Sequence, residues 1–276
     1  ELGGANLRQF FTADLNTLNF ERLELETLLR HALEQNRFHL VFQPQVLLTD
    51  RCQIGMEALL RWQHPSGKTV SPAQFIPLLE ETGLIVPVGA WVIRESCRRA
   101  VQWQKQGHRA VRMSVNIAAQ QLQNGQLPAL IAACLAETGL DPQWLELELT
   151  ESTLIGQADS IRRQLTELRD MGVRLAIDDF GTGYSSLACL RNLPADLLKI
   201  DRSFVQEIGG EADQTAIADL VIRLGQRLGL NTIAEGVETP AQAGWLRARG
   251  CNLAQGWLFS RPLPLDVLIP WLEKGQ

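Results

Sequence analysis

Two adjacent carboxylates, Asp178 and Asp179, end an apolar run and precede a turn of small residues, Gly-Thr-Gly-Tyr-Ser-Ser. Neighbouring strand residues point to opposite faces, so only one of these acids could face inward in a regular strand. Where a strand gives way to a loop, however, both can converge on a cation. Because an unpaired buried carboxylate is strongly disfavoured, the pattern predicts a positive charge at this point.

Polar side chains recur at or near the ends of other apolar runs. They are Glu57, Asn116, Glu148, Lys199, Glu235 and Gln255. The oxygen donors in this set suit hard cations, Mg²⁺ or Mn²⁺, better than zinc. The acids could share two such ions, and a pair of ions suits phosphoester cleavage because it activates water and stabilises the departing oxygen.

Lys199 is one of only four lysines in the chain, and it ends an apolar run. Beside metal ions its amine could take up a proton, or it could stay charged and hold a water molecule or a phosphate. The alternative is a structural salt bridge with Asp201 or Asp179.

These side chains need elements that bring them to one edge. Short apolar runs alternate with amphipathic segments, which predicts an α/β fold with a parallel barrel inside a ring of helices. The rival is a doubly wound open sheet, which the absence of G-x-G-x-x-G after an early strand disfavours. The predicted strands are Phe38–Gln43, Gln53–Leu60, Val111–Ile117, Trp144–Leu149, Val173–Ile177, Leu197–Ile200, Asn231–Ala234 and Asn252–Gln255. The predicted helices are Ser71–Glu81, Pro87–Lys105, Leu127–Thr138, Gln157–Asp170, Gln214–Leu228, Pro240–Arg249 and Pro264–Leu272.

The segment before the first strand has helical apolar spacing, so we predict that the second half of residues 7–37 is a helix packed on the body. This gives a lead segment at residues 1–37 and a barrel domain at residues 38–276. The start at Glu1 instead of Met adds the expectation of a longer parent protein.

The composition argues against several classes of function and site. The formal net charge of −5 argues against a general basic face for DNA or RNA. Five cysteines without C-x-x-C and four histidines without H-x-x-x-H argue against a disulfide framework and a His-based zinc site. No signal peptide or membrane-spanning stretch is visible, so we predict a cytoplasmic chain, or the cytoplasmic part of a longer, membrane-attached protein.

A series of motifs, in order along the chain, is highly specific. The series is Phe-Gln-Pro at 42–44, Glu-Ala-Leu-Leu-Arg-Trp at 57–62, Ser-Val-Asn at 114–116, Glu-Leu-Thr-Glu at 148–151, Asp-Asp-Phe-Gly-Thr-Gly-Tyr-Ser-Ser at 178–186, Leu-Lys-Ile-Asp at 198–201, Ala-Glu-Gly-Val-Glu at 234–238 and Gln-Gly-Trp-Leu-Phe-Ser-Arg-Pro at 255–262. From about Phe38 to Leu272 the chain resembles the EAL domains, which are cyclic di-GMP phosphodiesterases. Trp257 stands where that family usually has Tyr or Phe.

The resemblance implies a modified TIM (β/α)8 barrel in which one strand runs antiparallel to the others. The metal ligands it implies are Glu57, Asn116, Glu148, Asp178, Asp179 and Glu235. Lys199 would hold or deprotonate the attacking water, Gln255 would order water and substrate, and Glu151 would anchor the loop at 179–186. The residues implied to bind substrate are Gln43, Leu59, Arg61, Asp201 and Glu238.

The implied reaction is hydrolysis of one phosphodiester of cyclic di-GMP to linear pGpG. Two Mg²⁺ or Mn²⁺ ions would support it, and Ca²⁺ would inhibit it because its coordination is looser and longer. The resemblance also implies a homodimer and upstream GGDEF or sensor domains in a longer chain.

Two other functions fit parts of the pattern. A cyclic di-GMP receptor without activity would normally lack one of the acids or the lysine, and all are present here. An enolase-like lyase also places acids and a lysine around Mg²⁺ at strand ends, but the Glu57 motif and the run at 178–186 have no place there.

Overall fold

The computed structural model describes residues 22–50, 52–154, 158–181, 193–209 and 215–268. Contacts divide the chain into two compact units. The smaller one comprises Glu1–His39 and Leu60–Val88, and the larger one Leu40–Leu59 and Gly89–Gln276. The domain boundary between residues 37 and 38 stays a prediction.

The elements alternate much as the sequence predicts. The strands are β1 (Phe38–Leu47), β2 (Gln53–Gln63), β3 (Thr69–Val70), β4 (Arg112–Ile117), β5 (Leu145–Thr150), β6 (Arg174–Phe180), β7 (Leu197–Ile200), β8 (Asn231–Ala234) and β9 (Leu253–Ala254). The helices are α1 (residues 22–32), α2 (Pro72–Glu81), α3 (Ile85–Lys105), α4 (Ala119–Gln123), α5 (Leu127–Thr138), α6 (Glu151–Leu154), α7 (Ala158–Asp170), α8 (Arg202–Gln206), α9 (Ala216–Leu228), α10 (Pro240–Ala248) and α11 (residues 265–268). A 3₁₀ turn spans Pro142–Trp144.

Eight of these strands close into a barrel. The order is β2-β4-β5-β6-β7-β8-β9-β1, and β1 pairs back with β2. Neighbours from β2 through β9 are parallel, whereas β1 is antiparallel to β9. The connection between Leu47 and Gln53 is too short for a parallel crossover, which takes a dozen or more residues, so β1 has to run against β2. The predicted barrel with one antiparallel strand is confirmed.

The outer helices carry apolar faces and end at glycines. In α7, Ile161, Leu165 and Leu168 are buried at helical spacing. Helices α5 and α9 are each followed by a glycine in the left-handed conformation, Gly139 and Gly229, which a side chain would strain.

The smaller unit has an aromatic core of its own. Its strand residues Trp62 and Val70 pair antiparallel. The Trp62 ring is fully buried and lies 5.8 Å from the Phe75 ring, which in turn lies 6.3 Å from Phe38. Helix α1 is the predicted lead helix, and residues 1–21 before it lie outside the described residues.

Most differences from the predicted elements are at their ends. Strand β6 continues through Asp178 and Asp179 to Phe180, whereas the prediction ends at Ile177. Three short helices, α4, α6 and α8, were not predicted, because four or five residues are too few to display a helical period. Within the described ranges, none of the helices combines the length and apolar character that a membrane crossing requires.

Candidate active site

The centre of the candidate site is Lys199 on β7. Its side chain is fully buried inside the barrel. The ammonium Nζ lies 2.5 Å from Glu148 Oε2, 2.7 Å from Glu235 Oε1 and 3.0 Å from Asp178 Oδ2. The ends of β5, β6, β7 and β8 thus bring four predicted residues together. The salt-bridge alternative with Asp201 or Asp179 is not what the structure has, because Lys199 faces these three other acids.

Burial and crowding set the charges of this cluster. Burial raises the pKa of Glu148 well above its usual range and that of Glu235 to about 8, although the Lys199 ammonium opposes both shifts. Burial alone would lower the pKa of Lys199, but Asp178, Glu148 and Glu235 together outweigh it and raise that pKa well above its ordinary value. The lysine is therefore a cation among the acids.

A second group lies around Glu57 on β2. Asn116 Nδ2 donates to Glu57 Oε1 at 2.7 Å, and Gln255 Nε2 donates to Glu57 Oε2 at 2.5 Å. The same Gln255 nitrogen donates to Gln43 Oε1 at 3.0 Å. Two amides therefore fix both carboxylate oxygens of Glu57, and the charges of Glu57 and the Lys199 cluster act on each other.

Asp179 reaches the site through an irregularity in β6. The pairing with β7 shifts between Ile177 and Phe180, and Asp179 has a φ of 53°, which is uncommon for a residue with a side chain. Its backbone N–H donates to Asp178 Oδ1 at 2.8 Å. Burial, and next the charge of Asp178, raise the pKa of Asp179 to about 6. The bulge is how two consecutive residues both lie near the cluster.

Glu151, at the start of α6, lies beside the end of β6. Its buried Oε2 accepts a hydrogen bond from the backbone N–H of Gly181 at 2.8 Å. This contact fits the implied anchoring role. The rest of the predicted loop, residues 182–186, lies outside the described residues.

A cavity of about 250 Å³ opens over these groups. Seven predicted site residues line it: Gln43, Glu57, Leu59, Asp178, Glu235, Glu238 and Gln255. Asp201 instead caps α8, where its carboxylate accepts from the backbone N–H of Ser203 at 2.9 Å. Arg61 belongs to the smaller unit, where its guanidinium donates to its neighbour Leu60. A substrate contact by either residue stays a prediction.

Sequence reasoning missed Arg202 in the cavity wall. Its stem packs on Gly236, where an added Cβ would lie 2.3 Å from the Arg202 Cγ, and its guanidinium pairs with Glu238 at 2.9 Å. The same guanidinium lies 5.4 Å from the Trp257 ring, and Arg261 lies 4.2 Å from it. The only signal in the sequence is that Arg202 directly follows a strand-end aspartate.

The donors in the site fit divalent cations by chemistry. All are oxygens, and among the described residues nothing donates a hydrogen bond to the buried Oε1 atoms of Glu148 and Gln255. The acids also outnumber the single lysine among them. In the part of the chain that the structure describes, no three acidic, histidine or cysteine side chains already form a cage for an ion. The Lys199 ammonium lies between the carboxylates instead, so ligation would require them to turn.

Gly256 lets two segments of the cavity wall touch through their backbones. An added Cβ would lie 2.2 Å from the carbonyl oxygen and 2.3 Å from the nitrogen of Val237. We expect Gly256→Ala to cost about 1–3 kcal/mol of unfolding free energy, since one backbone has to move. Urea denaturation measures this. Gly244→Ala is the control, because it sits in α10 with nothing within 4 Å, and equal stability of both variants would contradict the prediction.

Comparison with known proteins shows which family has this fold. A family model described as EAL domain matches residues 27–262. The chain belongs to the EAL domain family. This EAL domain is 44% identical over 266 residues to the bifunctional diguanylate cyclase/cyclic di-GMP phosphodiesterase MucR of Pseudomonas aeruginosa, covering 96% of this chain and 39% of that protein. It is 43% identical over 270 residues to the cyclic di-GMP phosphodiesterase NbdA of the same species, covering 98% and 34%.

The fold has a solved counterpart. A structure described as the PaMucR phosphodiesterase in complex with c-di-GMP matches the EAL domain with a TM-score of 0.86 at 45% identity. The match covers 89% of this chain and 99% of that one. The chain thus corresponds to nearly the whole of the solved domain, and spans 39% and 34% of the lengths of MucR and NbdA.

Proposed function

We propose that this EAL domain hydrolyses one phosphodiester of cyclic di-GMP and releases linear pGpG. The observation that carries the proposal is the cluster at Lys199, where three carboxylates from separate strand ends meet one buried ammonium. The relatives that share its family are described as cyclic di-GMP phosphodiesterases. In the reaction water adds to phosphorus, one P–O bond to a ribose oxygen breaks, and that oxygen takes up a proton.

The chain's own residues divide the work. Leu59, Gln43 and Glu238 line the cavity and would orient the dinucleotide. Gln255 holds Glu57 and Gln43 through one amide nitrogen, so it would order water and substrate between them. As an ammonium, Lys199 would hold the attacking water at Nζ. It would take the proton of that water only as a neutral amine, a form that the positive charge of bound divalent ions would favour. The burial of the cluster excludes bulk water, which strengthens each of these electrostatic contacts.

We further propose that two Mg²⁺ or Mn²⁺ ions bind here. The residues that would hold them are Glu57, Asn116, Glu148, Asp178, Asp179 and Glu235. When bound, the ions supply Lewis acidity for activating water and for neutralising charge on the phosphate. The surplus of acids supports this assignment, and so do the buried Oε1 atoms of Glu148 and Gln255, which have no hydrogen-bond donor among the described residues.

Divalent ions should also stabilise the fold, because they relieve repulsion among the acids. We expect a concentration about 100 times the Kd to add about 2.7 kcal/mol and to raise the melting temperature by about 5–10 °C. Differential scanning calorimetry with Mg²⁺, with Mn²⁺, and with NaCl at the same ionic strength measures the shift. An equal shift in NaCl would argue against a site. Glu235→Gln should reduce the shift.

The direct test incubates the purified chain with cyclic di-GMP and Mg²⁺, Mn²⁺, Ca²⁺ or EDTA, and separates the products by chromatography. We expect pGpG with Mg²⁺ or Mn²⁺ and none with EDTA. Ca²⁺ should inhibit, because its longer and looser coordination does not hold reactants in line. Saturable nucleotide binding without turnover would overturn hydrolysis in favour of a receptor function.

Additional domains of a longer protein and a second subunit stay predictions. The chain covers only part of each named relative, which supports the expectation of upstream GGDEF or sensor domains in a longer protein. We also expect a homodimer, and sedimentation equilibrium of the purified chain would measure it. A purely monomeric species at the assay concentration would contradict that expectation.

A further inference from the structure

A buried polar chain lies inside the barrel beneath the site. Glu146 on β5, Ser114 on β4 and Gln45 on β1 have no exposed surface. Gln45 Nε2 donates to Ser114 Oγ at 3.4 Å, and Ser114 Oγ donates to Glu146 Oε1 at 2.8 Å. The Arg112 guanidinium lies 3.6 Å from Glu146 Oε2. This network of buried polar side chains, which we name the lower tier, has no part in the chemistry described above.

Gly55 makes the contact between Gln45 and Ser114 possible. Strand β2 lies between β1 and β4 in the barrel, so the Gln45 side chain has to pass over it. A Cβ on Gly55 would lie 2.5 Å from Gln45 Oε1. The missing side chain leaves the room through which Gln45 reaches Ser114, and the tier therefore links three of the eight barrel strands, β1, β4 and β5, across β2.

Gly55, Ser114 and Glu146 each precede a site residue by two positions on their strands, and Gln45 follows Gln43 by two on β1, which runs in the opposite direction. Residues two apart face the same side of a sheet. Gln45, Gly55, Ser114 and Glu146 accordingly lie beneath Gln43, Glu57, Asn116 and Glu148. In the pairing of β4 with β5, Ser114 lies beside Glu146 and Asn116 lies beside Glu148. The tier residues and the site residues two positions further on are therefore aligned between the two strands.

The other half of the barrel interior is built differently. Beneath Asp178, Lys199, Glu235 and Gln255 the corresponding residues form an apolar cluster of Ala176, Leu197, Ile233 and Leu253. There the ion pairs of Lys199 already hold Asp178 and Glu235, and a third ion pair reaches Glu148 above the polar tier. Among the described residues, the hydrogen bonds that hold Glu57 come from the neutral amides of Asn116 and Gln255, and Glu57 and Asn116 lie above the polar tier.

The lower tier contributes less stability than apolar side chains in the same place commonly would. A buried carboxylate with one hydroxyl donor and a guanidinium at 3.6 Å is commonly less stable than an apolar residue of similar volume. We propose that the tier fixes strands β1, β4 and β5 relative to one another, and that Glu146 and Ser114 are positioning residues for hydrolysis. This inference rests on the proposed function.

The test compares Ser114→Ala, Glu146→Met and Glu146→Gln in the purified chain, with kcat, KM and the Mg²⁺ concentration for half-maximal activity as readouts. Ser114→Ala and Glu146→Met should lower kcat or raise the half-maximal Mg²⁺ concentration by about 10- to 100-fold, as outer-shell changes do. The KM for nucleotide should stay within about threefold, because the tier acts on ligand placement and not on nucleotide contacts. Glu146→Gln keeps an acceptor for Ser114 and should rescue most of the activity.

Ile233→Val is the matched control, since it trims the apolar half of the same interior. It should lower the melting temperature but leave kcat within about twofold. The inference fails if Ser114→Ala and Glu146→Met keep kcat and Mg²⁺ dependence within about twofold of the parent, or if Glu146→Gln is as damaged as Glu146→Met. If Glu146→Met does not fold, Ser114→Ala and Glu146→Gln decide. An inactive parent chain would contradict the proposed function instead, and Mg²⁺ titration followed by melting temperature would still compare the variants.

Discussion

Glu57→Ala should abolish hydrolysis of cyclic di-GMP while the barrel stays folded. The substitution removes a carboxylate whose two oxygens are fixed by Asn116 and Gln255. Loss of one charged ligand removes several kcal/mol of transition-state stabilisation, so we expect turnover to fall at least ~10³-fold. Chromatography of the product at saturating Mg²⁺ measures the rate, and circular dichroism checks the fold.

The control for Glu57 is Glu167→Ala, which removes an exposed acid from α7 and should leave the rate unchanged. Glu57→Gln adds a variant of nearly the same volume. We expect it to be as inactive as Glu57→Ala, because a neutral amide replaces the charge. Turnover within tenfold of the parent in either variant would contradict the proposed role of Glu57 as a metal ligand.

Lys199→Ala should lose most of the activity and still bind the nucleotide. Nζ is the group that would hold or deprotonate water, whereas the cavity residues that would orient the substrate are other side chains. We expect a fall in kcat of about 10²–10⁴-fold, the range for a lost general acid or base. Isothermal titration with cyclic di-GMP in Ca²⁺ should give a Kd close to that of the parent.

Lys199 also balances three carboxylates, of which Glu148 and Asp178 are buried, so its loss should cost stability. Breaking a buried ion pair by removing one partner costs about 3–5 kcal/mol, and Mg²⁺ should recover part of this loss. Lys105→Ala, at an exposed site on α3, is the control for both measurements. Loss of nucleotide binding together with activity would show that Lys199 binds phosphate and does not act chiefly as a base.

Much of the fold could be read from the sequence because its signals are local. The eight strands are short apolar runs bounded by turns. The antiparallel first strand was expected from the family resemblance, because the predicted strand ended at Gln43 and the short connection from Leu47 to Gln53 is visible only in the structure. The ends of β6 could not be read in this way. The shifted pairing and the positive φ of Asp179 depend on β7, which is contributed by a later part of the chain.

The site was predictable as a set but not in its pairings. Strand-end acids, Asn116, Lys199 and Gln255 meet inside one barrel. The ion-pair partners that the sequence offered for Lys199, as the alternative to a catalytic role, were Asp201 or Asp179. The actual partners come from strands separated by up to 51 residues, and no local pattern encodes which strand ends face each other. Arg202 escaped notice for the same reason, since its position in the cavity wall depends on Gly236 and Glu238.

The ammonium between the carboxylates has a consequence for how the protein is made. A cation that is covalently part of the chain travels with it from synthesis onward, so the barrel can reach its native state before any ion arrives. Chelation should then act as a reversible switch: EDTA would silence the domain without unfolding it, and added Mg²⁺ would restore it without a refolding step. Activity would follow the supply of free ions in its surroundings, whereas reaching the folded state would not require them.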